Sequence, residues 1–445
     1  MHNNPMFPRT PDSFRQKVEQ VVQENMKTSG SIAADEEVNP NNVWELSVMK
    51  KKMEEDIMKD VMDVDKDKVQ ADKHVRRKSG WKRNAVAAAI AIAVVGTGGF
   101  TVHAVVENLA KQRLESMPEE EVESLAEDVA IRQEDGDTYS RELTDEEMER
   151  KRELSIAYQK GQFPEGELNK VQDESEIDKD ALCYVLPTGY MYLPDRALTD
   201  EEILQIIDYY EKVNYAVQEQ YAEKYPDEVQ EREESQEQLR KQIETEGGIS
   251  EEEAIVKAQE WLKKLYGEDG DGMQLNCYIW SVEEAEELGW ECPDGKPFYH
   301  IDYTIPGVEN YILVIGSKDG SLISTEYTDA DFDKVKTSLS DAEGKTQDMY
   351  QKAEEYLQNM LGISEDFSEV YCRYRISDDG SGIYMDHANL WFVKEDRSAY
   401  MITVKFEDMA FAGYDTTQNY DDYDEYMQQC EAGDYARESI VTKVR

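Results

Sequence analysis

The sequence predicts an α+β protein with a single transmembrane helix, and three observations support this class. An uncharged run covers residues 85–106 in a chain whose formal net charge is −49. After it, "KAQEWLKKLYG" at 257–267 and "KAEEYLQNMLG" at 352–362 repeat one helical pattern, which indicates an internal duplication. Apolar residues alternate in the stretches that follow, as in strands with one buried face. We therefore expect a short helical region before the span and a repeated helix-and-strand body after it.

The uncharged run is the candidate transmembrane helix, which we assign to residues 84–106. Its 22 uncharged residues form a helix about 33 Å long, enough for a hydrocarbon core of about 30 Å. Basic residues remain on the cytoplasmic side of a membrane, so the flank predicts a cytoplasmic N-terminus and an extracytoplasmic C-terminal body. That flank consists of Arg76, Arg77, Lys78, Trp81, Lys82 and Arg83. A cleaved signal peptide is the alternative, and the long leader argues against it.

Charge is distributed unevenly about this span. Residues 1–83 carry 16 Lys and Arg against 15 Asp and Glu, whereas the residues beyond them carry 33 against 83. A strongly anionic body repels nucleic acid and anionic lipid, and it attracts cations or basic peptides. We therefore expect no nucleic-acid partner.

The cytoplasmic region, residues 1–83, contains two predicted amphipathic helices. A small helical hairpin or an arm lying on the membrane is one interpretation; a docking element for a cytoplasmic protein is the other, because Met-rich faces adapt to grooves. The stretch "DVDKD" at 63–67 fails as a calcium loop, since Lys68 and His74 replace the required Gly and Glu. No Cys occurs in this region, which excludes a His/Cys zinc motif. The candidate partner-binding residues are Phe14, Val18, Val21, Leu46, Met49, Met53, Ile57 and Val61.

The extracytoplasmic part divides by pattern into five segments. We predict an acidic helical stalk, a β-hairpin plus a long helix, two units that each run helix, strand, strand, strand, and an acidic tail. Three capping boxes mark helix starts, at Thr144/Glu147, Thr199/Glu202 and Ser250/Glu253. The segments are assigned to 107–180, 181–248, 249–328, 341–416 and 417–445.

Side chains that carry chemistry are sparse. No Gly-x-Ser-x-Gly, His-Glu-x-x-His or phosphate-binding glycine loop occurs, so we expect no enzyme activity, no cofactor and no metal site. His300 is expected to share a strand face with Asp302 and Thr304 as a structural or surface residue. Cys277 and Cys292 suit a disulfide, but Cys277 and Cys372 occupy equivalent repeat positions, which favours buried thiols.

The first unit resembles PepSY-type domains. Those domains combine a helix that begins Ser/Thr-x-Glu-Glu-Ala with strands closed by an Asp-Gly turn and an apolar residue. Ser250 with Glu252-Glu253-Ala254 matches the opening, and Asp319-Gly320 with Leu322-Ile323 matches the close. The second unit departs from this pattern, with Asp408-Met409 in place of Asp-Gly. The overall layout is similar to that of membrane-anchored regulators of Gram-positive bacteria, including anti-sigma-factor-like proteins.

The resemblance implies a single-pass regulatory or sensor protein in the cell membrane. Its extracytoplasmic body would bind a ligand, while residues 1–83 would bind a cytoplasmic partner such as a sigma factor. The alternative is an envelope-anchored binding or peptidase-inhibitory module without a signalling role.

Overall fold

The structure is a computed structural model that describes residues 109–131, 138–186, 188–287, 292, 295–330, 336–377, 382–425 and 439–445. The predicted span 84–106 and the cytoplasmic region 1–83 lie outside these residues. So do all candidate partner-binding and topology residues, from Phe14 to Arg83. Among the described residues, no helix combines the length and the apolar character needed to cross a membrane.

Helices and strands both contribute to the described body, as the α+β class predicts. The helices are α1 Leu109–Glu115, α2 Glu119–Ile131, α3 Asp145–Gln159, α4 Asp200–Lys224, α5 Pro226–Thr245, α6 Glu251–Tyr266, α7 Val282–Glu287 and α8 Leu339–Glu355. The strands are β1 Thr138–Tyr139, β2 Lys170–Val171, β3 Cys183–Val185, β4 Tyr190–Tyr192, β5 Gln274–Trp280, β6 Phe298–Ile305, β7 Glu309–Gly316, β8 Leu322–Asp329, β9 Glu369–Ile376, β10 Ile383–Val393, β11 Ala399–Lys405, β12 Phe411–Thr417 and β13 Ser439–Lys443.

The first part of the body packs helices around a small sheet with strand order β1-β4-β3-β2. The antiparallel pair β3–β4 is the predicted hairpin. Helices α2 and α3 both pack on α4, and Leu125, Leu154 and Tyr158 are buried in the same core as Tyr184. The segment 107–180 was expected to be a solvated stalk. Its described residues instead help to form a folded core.

All three predicted capping boxes are confirmed. Thr144, Thr199 and Ser250 are the N-caps of α3, α4 and α6, and each bonds reciprocally with the glutamate three residues later. This arrangement satisfies backbone N–H groups that have no partner within the helix.

A nine-stranded sheet dominates the rest of the body, with order β13-β9-β10-β11-β12-β8-β7-β6-β5. The strands β5–β8 form one antiparallel meander and β9–β12 another. The last strands of the two meanders, β8 and β12, pair antiparallel and join them. Each unit therefore contains four strands, one more than predicted, because "LISTEY" and "FAGYDT" form strands of their own, and the first unit also contains the short helix α7.

Equivalent positions of the two units have the same environment. Ala258 and Leu262 in α6, like the corresponding Ala353 and Leu357, are fully buried. Gly267 and Gly362 both adopt positive φ, 81° and 76°, where each helical segment ends. Cys277 and Cys372 each occupy the fourth position of the first strand, and both are buried free thiols, as predicted. Because the Cys277 thiol is free, the alternative disulfide between Cys277 and Cys292 is not formed.

Helices cover one face of the large sheet. Helix α6 packs on β6 and β7, and α8 packs on β9, β10 and β11. The opposite face is covered at its two ends: Ala285 of α7 packs with Phe298 and Val314, and Tyr420 and Tyr423 pack with Trp391 and its neighbours. The segment 417–445 was predicted to be an acidic tail, but its described residues complete the fold, because β13 pairs with β9.

The outer edge of β5 is closed by one side chain of α5. The amide of Gln236 donates to the carbonyl oxygen of Ile279 at 2.9 Å and accepts from the N–H of Ile279 at 2.9 Å. Gln236 is 6% exposed and so supplies, from a helix, the bonds of a neighbouring strand. An open edge would otherwise be a template for pairing with another chain.

We expect Gln236→Ala to lower the free energy of unfolding by about 1–3 kcal/mol, because two buried backbone groups lose their partners. The measurement is urea denaturation of the full-length chain, with light scattering to detect association through β5. The control is Gln242→Ala, on an exposed part of the same helix, for which a change within about 0.5 kcal/mol is expected. Equal effects of the two substitutions would contradict the role of Gln236 at this edge.

Candidate functional site

The two meanders meet through a very short strand pair. Only Glu326 with Gly413 and Thr325 with Tyr414 are in register between β8 and β12. A Cβ at Gly413 would lie 3.0 Å from the carbonyl oxygen of Thr325, so glycine allows this close approach. Toward Leu322 and Thr417 no further pairs join the two strands in the described residues, and a cavity opens there.

The junction cavity, as we call this space, has a volume of about 280 Å³. It lies between the β7–β8 turn, the β10–β11 turn and the end of β12. Its described lining residues are Lys296, Pro297, Gly316, Ser317, Lys318, Ser321, Leu322, Ile323, Lys394, Ser398, Ala399, Tyr400, Tyr414, Thr416, Thr417 and Gln418. Pockets at boundaries between packed units are common ligand sites.

The charges of the cavity wall differ from those of the chain. Three lysines, Lys296, Lys318 and Lys394, line it, and none of its described lining residues is Asp or Glu. Lys394 Nζ lies 3.3 Å from a carboxylate oxygen of Glu365 and 4.9 Å from the centre of the Tyr400 ring. Tyr400 OH donates to the other oxygen of Glu365 at 3.1 Å. Glu365, which is not a lining residue, thus contacts both the lysine and the tyrosine.

Two hairpin turns of the same local design place cavity residues. In each, an aspartate Oδ1 accepts from the backbone N–H of a serine two residues later at 3.0 Å, Asp319 with Ser321 and Asp396 with Ser398. These serine bonds lower the pKa of both aspartates. The intervening residue adopts positive φ, 75° at Gly320 and 70° at Arg397. Both carboxylates are therefore engaged within the turns, while Lys318 and Lys394, at the start of each turn, reach the cavity.

A row that contains six polar side chains crosses the sheet face that lies opposite α6 and α8. Cross-strand register connects Asn276, Asp302, Ile312, Glu326, Gly413, Thr403, Asn389, Arg373 and Val441. Thr403 Oγ1 donates to Asn389 Oδ1 at 2.9 Å. His300 Nδ1 lies 3.6 Å from Asp302 on the same face, as predicted.

Glu326 stands at the centre of this row and of the junction. It is 7% exposed, and its Oε2 has no hydrogen-bond partner among the described residues. Burial, reinforced by the negative charges of Asp415 and Asp302, raises the pKa of Glu326 to about 8. The carboxyl group is therefore protonated at neutral pH.

A second, smaller cavity of about 30 Å³ lies at the other end of the β8–β12 pair. Its wall includes a bulge of β10 in which Met385 and Asp386 adopt positive φ, 65° and 39°. Burial lowers the pKa of His387 to about 4, so this imidazole is neutral. Lys405 Nζ contacts Asp329 at 2.6 Å. The space holds about one water molecule, which makes it a structural feature of the bulge.

The lysines of the junction cavity were not among the residues predicted from the sequence. A signal was present in two short stretches, "SKDGS" at 317–321 and "KEDRS" at 394–398, where Lys precedes an Asp-x-Ser turn. Among the described residues, no cluster of three or more His, Cys, Asp or Glu side chains is placed to hold a metal ion. Comparison of the chain with protein-family models, with curated proteins and with solved structures found no match.

Proposed function

We propose that this protein is a single-pass membrane sensor whose α+β body binds an extracytoplasmic ligand in the junction cavity. Residues 1–83 bind a cytoplasmic protein, with a sigma factor as the leading candidate. The two helix-and-strand units act as PepSY-like modules that together form the ligand site. The observation that carries the proposal is the cavity at the point where the two units separate.

The membrane arrangement rests on the chain's charge pattern. A run of 22 uncharged residues separates a nearly neutral region from a strongly acidic one, and basic residues precede the run. By the positive-inside rule this orients the body outward and residues 1–83 inward.

The short strand pair at the junction, supported by packing of Tyr266 on Phe411 at 5.4 Å between ring centres, suits a sensor. Two residue pairs are all that join β8 to β12, so a ligand that contacts both turns would favour one arrangement of the two units over another. A ligand shifts such an equilibrium only through different affinities for the two arrangements. A site built from both units supplies that difference.

The test combines a deletion with a substitution that fills the cavity. Co-purification of a sigma factor with the full-length chain should be lost when residues 1–72 are deleted. Thr416→Trp, which fills the cavity, should leave co-purification intact but abolish its response to extracytoplasmic conditions; Thr442→Trp, on the exposed part of β13, is the control. If every phenotype survives the deletion, the signalling role is wrong and an envelope-anchored binding module remains.

A further inference from the structure

We propose that the junction cavity binds a small organic anion, a carboxylate or phosphate ester that carries an apolar or aromatic group. The inference rests on the proposed ligand site and adds the chemical class of the ligand. It differs from what the overall charge predicts, since an anionic body attracts cations at long range.

The charge of the cavity wall is the main observation in favour of an anionic ligand. The chain contains 98 acidic and 49 basic residues, yet the described wall contains three lysines and no carboxylate. Ammonium groups arranged around a cavity attract anions most strongly where water is partly displaced.

Two of the three lysines pair with carboxylates that do not line the cavity. Lys296 pairs with Glu246, and both side chains are well exposed, at 44% and 38%. Lys394 is 27% exposed and Glu365 46%. Ion pairs exposed to this degree are weak and screened by solvent. Lys296 and Lys394 can therefore each exchange their carboxylate partner for a ligand at a small cost in free energy.

The remaining wall defines the other half of the ligand. Leu322, Ile323, Ala399 and the rings of Tyr400 and Tyr414 form an apolar surface. A volume of about 280 Å³ corresponds to roughly nine water molecules, so the ligand has on the order of ten non-hydrogen atoms. An aromatic carboxylate or a phenyl phosphate has this size and polarity.

The experiment titrates the full-length chain with benzoate, phenyl phosphate and benzamide, followed by calorimetry and ligand-observed NMR. Benzamide has nearly the shape of benzoate but no charge. We expect benzoate or phenyl phosphate to bind at least tenfold more tightly than benzamide. The preferred anion identifies the ligand as a carboxylate or a phosphate.

Substitutions then place the anion in the cavity. Lys296→Met and Lys394→Met should each weaken anion binding about tenfold, because a charge-assisted contact is lost while the aliphatic stem is kept. The control is Lys160→Met: Lys160 is 42% exposed and paired with Asp271, like Lys296 with Glu246, but it directly follows α3, outside the cavity wall. The affinity of Lys160→Met for the anion should equal that of the unmodified chain.

Two outcomes would overturn the inference in different ways. If benzamide binds as tightly as benzoate and Thr416→Trp abolishes both, the cavity binds a neutral ligand, and the proposed sensor function still stands. If no probe binds, or if Lys160→Met weakens binding as much as Lys296→Met, the anion site is wrong. The sensor proposal is judged separately, by the co-purification test.

Discussion

We expect Glu326→Gln to raise the free energy of unfolding by about 2–4 kcal/mol at pH 8 and to change it little near pH 4. Glu326 is buried at the junction of β8 and β12, beside Asp415 and Asp302, and these surroundings raise the pKa of its carboxyl group to about 8. Glutamine has almost the same shape and no proton to lose. The substitution therefore removes the cost of ionisation.

The sign follows from the proton count of the two states. Below the ordinary glutamate pKa of 4.5, both folded and unfolded chains hold the proton, and Glu326 has no effect on stability. Between this value and about 8, the unfolded chain releases the proton while the folded chain keeps it, so stability falls as pH rises. Above about 8 Glu326 is ionised in both states, and it causes no further loss of stability as pH rises.

The measurement is urea denaturation of Glu326→Gln and the unmodified chain from pH 4 to pH 9, compared as a difference at each pH. Glu343→Gln, on the exposed side of α8, is the control and should give a flat difference. A flat profile for Glu326→Gln as well would show that Glu326 is solvated in the folded protein.

Local signals predicted the local structure well. The capping boxes at Thr144, Thr199 and Ser250 each depend on two residues three positions apart, and each is present. The repeat between α6 and α8 predicted that Cys277 and Cys372 fill equivalent buried positions, because both the helix and the first strand retain their pattern.

The stalk prediction was wrong because the core of the first part includes polar side chains. Helix α3 buries Glu147 and Lys151 as well as Leu154 and Tyr158. Glu147 is paired with Arg141, and Lys151 donates to the carbonyl oxygen of Gly307 at 3.1 Å. A helix whose charged residues face the interior shows little apolar periodicity, so the sequence of α3 resembles that of a solvated spacer.

The junction cavity could not be predicted from the sequence, because it depends on pairing between strands that are far apart in the chain. Its wall combines a turn near Lys318 with another near Lys394, and these meet only because β8 pairs with β12. No pattern within either unit specifies which strands meet across the repeat. The turns were predictable from their residues, but their proximity was not.

The buried network around Asp208 in α4 is the basis of the second large effect. Asp208 is 3% exposed. It accepts from Arg113 Nε at 2.7 Å and from Tyr158 OH at 2.8 Å, and Lys212 Nζ lies 3.1 Å away. Burial alone would raise the pKa of Asp208, but these hydrogen bonds and the charge of Lys212 lower it below its usual range. One carboxylate thus connects α1, α3 and α4.

We expect Asp208→Asn to lower the free energy of unfolding by about 3–5 kcal/mol at pH 7, because two cations then face a neutral amide in a buried site. Asp200→Asn is the control: Asp200 begins the same helix and also pairs with an arginine, Arg150, but is 54% exposed, so at most about 1 kcal/mol should be lost.

Because the pKa of Asp208 is depressed, its contribution to stability is present above the ordinary aspartate pKa and is lost as pH falls through the lowered value. Urea denaturation at pH 7 and pH 3 should therefore show a smaller difference at the lower pH, and equal losses for Asp208→Asn and Asp200→Asn at pH 7 would show that the network does not stabilise the fold.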